Sequence, residues 1–256
     1  MKKLLVTLTP AEGKRLIAKG ILALEPVQKA LKSGYLCVTL GTTNSYIVEE
    51  IIDGYDKTRH VAGVVVPRGV WLTRADSRAT DAIFHKGEYI AGKKVVDVLS
   101  ELGSDDVILK GANALDADFV PLVLLAHQTG GSIGAILGAV AARNIRLIMP
   151  VGLEKYIPTR HYELVGRLGV SDWDYAIGKP VGVIAVPEGI PFTEIEAFNV
   201  LFGVSAVPIA AGGVNGAEGA VTFLIEGEDE NIDRTYEYIQ DRIKGEELFP
   251  TLTELV

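Results

Sequence analysis

A single cysteine, Cys37, stands among 256 residues, so no intrachain disulfide can form. It sits in the apolar run Tyr35 to Leu40, where the expected role is a small buried hydrophobe in a strand. A redox or catalytic thiol is the alternative. An excess of basic charge is also missing. The chain has 25 Lys and Arg against 33 Asp and Glu, a formal net charge of −8, which argues against a nucleic-acid partner. Two stretches without charge, residues 119–142 and 197–217, reach the length of a membrane span. Each is interrupted by proline and four glycines, so both read as buried elements joined by turns. Met1 to Val6 has the charged head of a signal peptide but no apolar core after it. No Walker loop occurs, and no His/Cys/Asp spacing matches a metal site. There is no internal repeat and no low-complexity tract. The expectation is a cytoplasmic protein with no metal, no cofactor and no membrane partner.

What is present is ordinary globular composition, 48% hydrophobic and 23% charged. Thr9-Pro10-Ala11-Glu12 carries a helix cap, a first-position proline and a capping-box acid. Leu16, Ile17, Ile21, Leu22 and Leu24 then recur at helical spacing. Downstream, apolar runs read as strands at 36–40, 61–66, 106–109 and 145–149. Helices are expected at 46–52, 95–102 and 133–142. This alternation predicts an α/β fold, a Rossmann-like, mostly parallel sheet with helices on both faces, over residues 1–178. Beyond it the order strand–helix–strand–strand–helix predicts a small ferredoxin-like α+β module over 179–256.

In parallel sheets, ligands bind beyond the carboxyl ends of strands. Gly41-Thr42-Thr43-Asn44-Ser45 follows a strand and precedes a helix. Its hydroxyls, amide and free N–H groups could hold a phosphate or carboxylate, or it could be a polar turn with a cap. Lys110 to Asp118 follows another strand, and Lys110, Asn113 and Asp116 are its candidates. A self-bonded turn is the alternative. His127, before Gly130-Gly131, could act as acid, base or polarising donor, or could be a structural or surface histidine. Arg68, Arg74 and Arg78 could grip an anion, or could pair with Asp76 and Asp81 on the surface.

In this order the three segments resemble the superfamily of ribose-5-phosphate isomerase, glucosamine-6-phosphate isomerase and CoA-transferases. Leu40-Gly41-Thr42-Thr43-Asn44-Ser45 resembles the phosphate loop. Lys110-Gly111-Ala112-Asn113-Ala114-Leu115-Asp116 resembles the segment Asp-Gly-Ala-Asp-Glu-x-Asp. Gly130-Gly131 with Ile133 to Ala142 resembles the family's Gly-rich turn and small-residue helix. Arg146 to Lys155 resembles its next strand, which ends in a short polar segment. The resemblance implies phosphate binding by Gly41, Thr42, Thr43, Asn44, Ser45, Gly130 and Gly131, and chemistry at Lys110, Asn113, Asp116 and His127. Lys110 and Asn113 stand where the family has carboxylates. Gln128-Thr129-Gly130 has an amide where a CoA-transferase has its nucleophilic glutamate. The expected function is binding of, or catalysis on, a phosphorylated small molecule. The alternatives are a non-catalytic metabolite sensor or assembly subunit, and a CoA-dependent transferase. A small anionic ligand and a homo-oligomer are the expected partners.

Overall fold

The computed structural model describes residues 1–256. From the N-terminus the chain runs β1 (Lys2–Leu8), α1 (Pro10–Ala23), α2 (Glu25–Ser33), β2 (Tyr35–Val38) and α3 (Thr42–Ile51). There follow β3 (Gly63–Val66), β4 (Gly69–Leu72), β5 (Ala82–His85), β6 (Glu88–Ile90), α4 (Val95–Val98), β7 (Val107–Leu109), β8 (Ala114–Leu115) and β9 (Pro121–Leu125). The remainder is α5 (Gly131–Arg143), β10 (Arg146–Pro150), α6 (His161–Leu164), β11 (Gly182–Ala185), β12 (Ile190–Phe192), α7 (Glu194–Phe202), β13 (Ser205–Ala211), β14 (Val221–Gly227) and α8 (Asp229–Arg242).

The fold is mixed α/β, centred on a six-stranded sheet of order β12-β10-β7-β2-β5-β6. The four strands from β12 to β2 are parallel, whereas β5 pairs antiparallel with β2 and β6 antiparallel with β5. The sheet is therefore mixed. Every residue of β2 is buried, including Cys37, whose thiol burial pushes far up from its ordinary value. An inert core thiol follows.

Helix α1 opens with the capping box expected from its sequence: Glu12 accepts from the Thr9 N–H, and Thr9 accepts from the Glu12 N–H. Its Leu16, Ile17 and Ile21 are fully buried. Each contributes roughly 1.5–3 kcal/mol of transfer free energy. That packing, against α3 and α7, fixes where α1 carries Lys14.

The segment from residue 179 does not assemble alone. Strand β11 pairs with β9, β12 joins the central sheet, and β14 pairs with β1 in register from Lys2↔Gly227 to Leu8↔Val221. The physical reason lies in β1, whose Leu4, Val6 and Leu8 alternate inward and supply the third strand of the sheet β1-β14-β13. One apolar cluster runs through both halves. Strand β13 is an exposed edge blunted by Pro208 and by a register shift between Pro208 and Ala210. No helix is long and apolar enough to cross a membrane. The two uncharged stretches divide into β9 with α5, and α7 with β13.

Candidate functional site

All four parallel strands end on the same side, and each is followed within about five residues by polar ones. Thr42 follows β2, Lys110 and Asn113 follow β7, Glu154 and Lys155 follow β10, and Glu194 follows β12. Ladder bonds continue into these turns. Thr39 N donates to Leu109 O, Lys110 N to Ile148 O and Val151 N to Phe192 O, each at 3.0 Å.

A cavity of about 800 Å3 opens there. Its wall carries Lys14, Thr42, Asn113 and Lys155, and its roof is the β3–β4 hairpin with Arg68 and the C-terminal residues Phe249 to Thr253 with Leu255. That stretch is pinned to the hairpin: Leu72 and Val256 exchange backbone hydrogen bonds at 3.2 and 2.8 Å, and Arg74 N donates to Glu254 O at 2.9 Å. No carboxylate lines the cavity, although the whole chain is acidic. A second groove of about 600 Å3, between α7 and the β12 edge, is lined largely by apolar side chains such as Ile148, Ile190 and Val200. It lacks such a convergence of cations.

Behind the cavity wall lies a buried charge cluster. Lys14 Nζ donates to Glu154 Oε1 at 2.6 Å and to Pro10 O at 3.2 Å. Glu154 Oε2 is buried without a hydrogen-bond partner. Burial alone would raise the Glu154 carboxyl, yet Lys14 and Lys155 hold it below its ordinary value. Glu194 accepts from the Leu153 N–H at 2.9 Å, and burial beside Glu154 pushes its carboxyl well up. Of the two acids, Glu194 is the one shifted toward its protonated form. Two glycines make room for them. A Cβ on Gly13 would sit 2.5 Å from Glu194 Oε1, and one on Gly152 would sit 1.8 Å from Glu154 Oε2.

The lysines themselves are perturbed. Burial lowers Lys110 to about 8, against the pull of Asp81. Burial likewise lowers Lys155 to about 8; Glu154 opposes the shift, while Lys14 and Lys110 add to it. Lys110 Nζ donates to Gly111 O at 3.3 Å, and Lys155 Nζ to Ala112 O at 2.8 Å. Neither has a carboxylate in contact.

The residues expected from sequence divide sharply. Thr42 and Asn113 line the cavity, and Lys110 belongs to the cluster behind it. Asn113 Oδ1 also accepts from the Leu124 N–H at 3.0 Å. The segment 41–45 is not a loop before a helix: α3 already begins at Thr42, with Gly41 as its cap. Helical geometry then turns the next residues inward. Thr43, Asn44 and Ser45 are buried; Asn44 Nδ2 donates to Thr39 O and Leu109 O at 2.8 and 3.1 Å, and Ser45 Oγ donates to Thr42 O at 2.7 Å. Asn44 Nδ2 and Ser45 Oγ are thus engaged within the turn, and neither residue lines the cavity.

Asp116 is fully buried but lies outside the cavity wall. Its Oδ1 accepts from the N–H groups of Asp118 and Val120, and its Oδ2 from the backbone and ring Nδ1 of His161. Burial alone would raise it, yet these bonds hold it below the ordinary carboxylate value. Asp116, Asp118 and His161 offer ligand atoms within 4.8 Å of one another, but both Asp116 oxygens are already committed to this turn. His127 is exposed and accepts from Thr129, and Gly130 and Gly131 start α5 with positive φ; none of the three lines the cavity. Arg74 pairs with Asp76, as the surface alternative holds. Asp81 instead is buried and accepts from Leu40 and Val95 N–H groups.

Lys14 and Glu194 were not among the expected site residues, and Glu154 and Lys155 entered only as the short polar end of the segment 146–155. The available signal was the strand-end rule applied to β10 and β12, whose next polar residues include Glu154, Lys155 and Glu194. Compared with protein-family models, with curated proteins and with solved structures, the chain shows no match.

Proposed function

We propose that the chain binds a phosphorylated or otherwise anionic small molecule in the cavity at the carboxyl ends of the parallel strands. The observation that carries this reading is the lining: Lys14, Arg68 and Lys155 with Thr42 and Asn113, and no carboxylate, in a protein whose net charge is −8. Cations in a low-dielectric cleft attract an anion far more strongly than they would in water. The open first turn of α3, which has no side-chain cap, adds N–H groups beside Thr42. The Rossmann-like description of the sheet, the ferredoxin-like description of the last segment and the likeness to sugar-phosphate isomerases belong to this proposal. So does a cytoplasmic homo-oligomer, for which sedimentation velocity is the measurement.

A non-catalytic binder is the second reading. It is favoured by the full commitment of Asp116 to its turn, which leaves that carboxylate no free oxygen for proton transfer.

The test is a thermal-shift panel of inorganic phosphate, ribose 5-phosphate and related sugar phosphates. A ligand at a hundred times its Kd stabilises the folded state by about 2.7 kcal/mol. For a chain of this length that raises Tm by several degrees. A double variant, Lys14→Met with Lys155→Met, should lose the shift. Absence of any shift in the wild type ends the reading.

A further inference from the structure

Resting on that reading, we infer that Lys155 is an amine nucleophile that forms an imine with the carbonyl carbon of the anionic ligand, the ligand being a phosphorylated aldehyde or ketone. Four observations place it in this role. Lys155 lines the cavity directly, on the turn that leaves β10. Its Nζ touches no carboxylate, and its hydrogen bond is to the Ala112 carbonyl. A salt-bridged lysine is held as ammonium; one bound to a carbonyl can release a proton and expose its lone pair. Burial is the main influence that favours the neutral amine; Glu154 and Glu194 pull the other way, while Lys14 in the same wall and Lys110 on the neighbouring strand end add to the effect of burial. And Arg68 with Thr42, on the roof and wall of the same cavity, can hold the anionic group while the carbonyl faces the amine.

The chemistry balances without an outside oxidant or reductant. The Lys155 lone pair forms the C–N bond as the carbonyl π pair moves to oxygen. One N–H proton passes to that oxygen to give the carbinolamine. Buffer acid in the solvent that fills the open cavity supplies one further proton, the C–O bond breaks, and water leaves. The remaining N–H carries the positive iminium charge. The iminium withdraws electrons from the adjacent carbon, which is what a proton shift between carbons requires.

The experiment is reductive trapping. Dihydroxyacetone phosphate and sodium cyanoborohydride are incubated with the intact protein, and adducts are mapped by mass spectrometry. A single adduct on Lys155 is expected, suppressed about tenfold by excess inorganic phosphate and absent in Lys155→Arg. The trapping rate should rise with pH through a midpoint of about 8, with Lys14, Lys110, Arg68, Glu154 and Glu194 the charged groups that face this amine. Circular dichroism and urea denaturation report whether Lys155→Arg keeps the wild-type fold, and the phosphate shift of the wild type reports the anion site. If phosphate stabilises the wild type but adducts scatter over surface lysines, or persist in Lys155→Arg, the nucleophile is overturned and the binding reading stands. If phosphate does not stabilise the wild type, the binding reading falls first.

Discussion

Two turns leave the carboxyl ends of parallel strands and use their polar residues in opposite ways. The turn after β2, Gly41 to Ser45, is rich in hydroxyls and amides, yet three of its five residues point into the protein. Asn44 ties the ends of β2 and β7 together, and His60 reinforces the same place from outside the turn. The turn after β10, Val151 to Lys155, is mostly apolar but delivers Glu154 to the buried cluster and Lys155 to the cavity. The difference teaches that polar density marks a turn, while the direction of the first helical residues decides whether it meets a ligand. A helix that starts at once, as α3 does, turns most of its polar side chains back toward the sheet. The short 3-10 turn at Leu153–Lys155 instead sends one polar side chain, Glu154, to the buried cluster and the next, Lys155, to the cavity.

The comparison breaks most visibly at Asn44. Asn44→Ala deletes two buried hydrogen bonds and should cost roughly 2–4 kcal/mol in chemical denaturation. The folded fraction should still show the phosphate shift. Loss of that shift with stability unchanged would place Asn44 on the ligand and reverse the contrast between the turns.

A smaller effect comes from His60, which is fully buried, donates from Nε2 to Thr39 O at 3.1 Å and meets the Tyr55 hydroxyl at Nδ1. Burial lowers it to about 4 from an ordinary 6.5. Its folded pKa lies below its unfolded one, so the unfolded chain takes up the proton first as pH falls. Stability tied to His60 is therefore complete above pH 6.5 and drains away down to about pH 4. Between pH 6.5 and 4.5 the wild type should lose roughly 2 kcal/mol more than His60→Gln. Parallel curves for the two proteins would show that His60 does not brace the turn in its neutral form.

The smallest effect sharpens the other turn. Glu194 has its carboxyl raised, so the native state holds a proton that the unfolded chain has already released. Its contribution to stability falls as pH rises above the ordinary carboxylate range. From pH 6.5 to 7.5 the wild type should lose on the order of 1 kcal/mol that Glu194→Gln does not. Urea denaturation at the two pH values measures it; an equal loss in both proteins would mean that Glu194 is ionised in the native state.

Much of the scaffold was legible in the sequence. The capping box at Thr9, strand β2, helix α5, strand β10 and the closing helix α8 follow from local periodicity and turn chemistry, because each buries a face through contacts its own pattern announces. Strand β1 was hidden because its partner lies more than two hundred residues away, and two lysines open it. The run expected as a helix over 95–102 keeps helical form only in Val95–Val98. The expected strand 61–66 becomes half of a hairpin, with Val66 paired to Gly69. At the candidate site, strand-end logic found Thr42, Lys110 and Asn113. It passed over Lys14, because nothing local to a helix says which of its lysines will face a strand end from another part of the chain.

Gly13 and Gly152 carry a consequence for how sequences of this kind can diverge. Each leaves the space that the end of one carboxylate side chain fills, so a methyl at either position makes the acid opposite it swing aside. Among sister sequences, alanine at position 13 should therefore be commoner where position 194 has given up its glutamate, and position 152 should lean on 154 in the same manner. Four sites scattered along the chain would then tend to drift as two linked pairs.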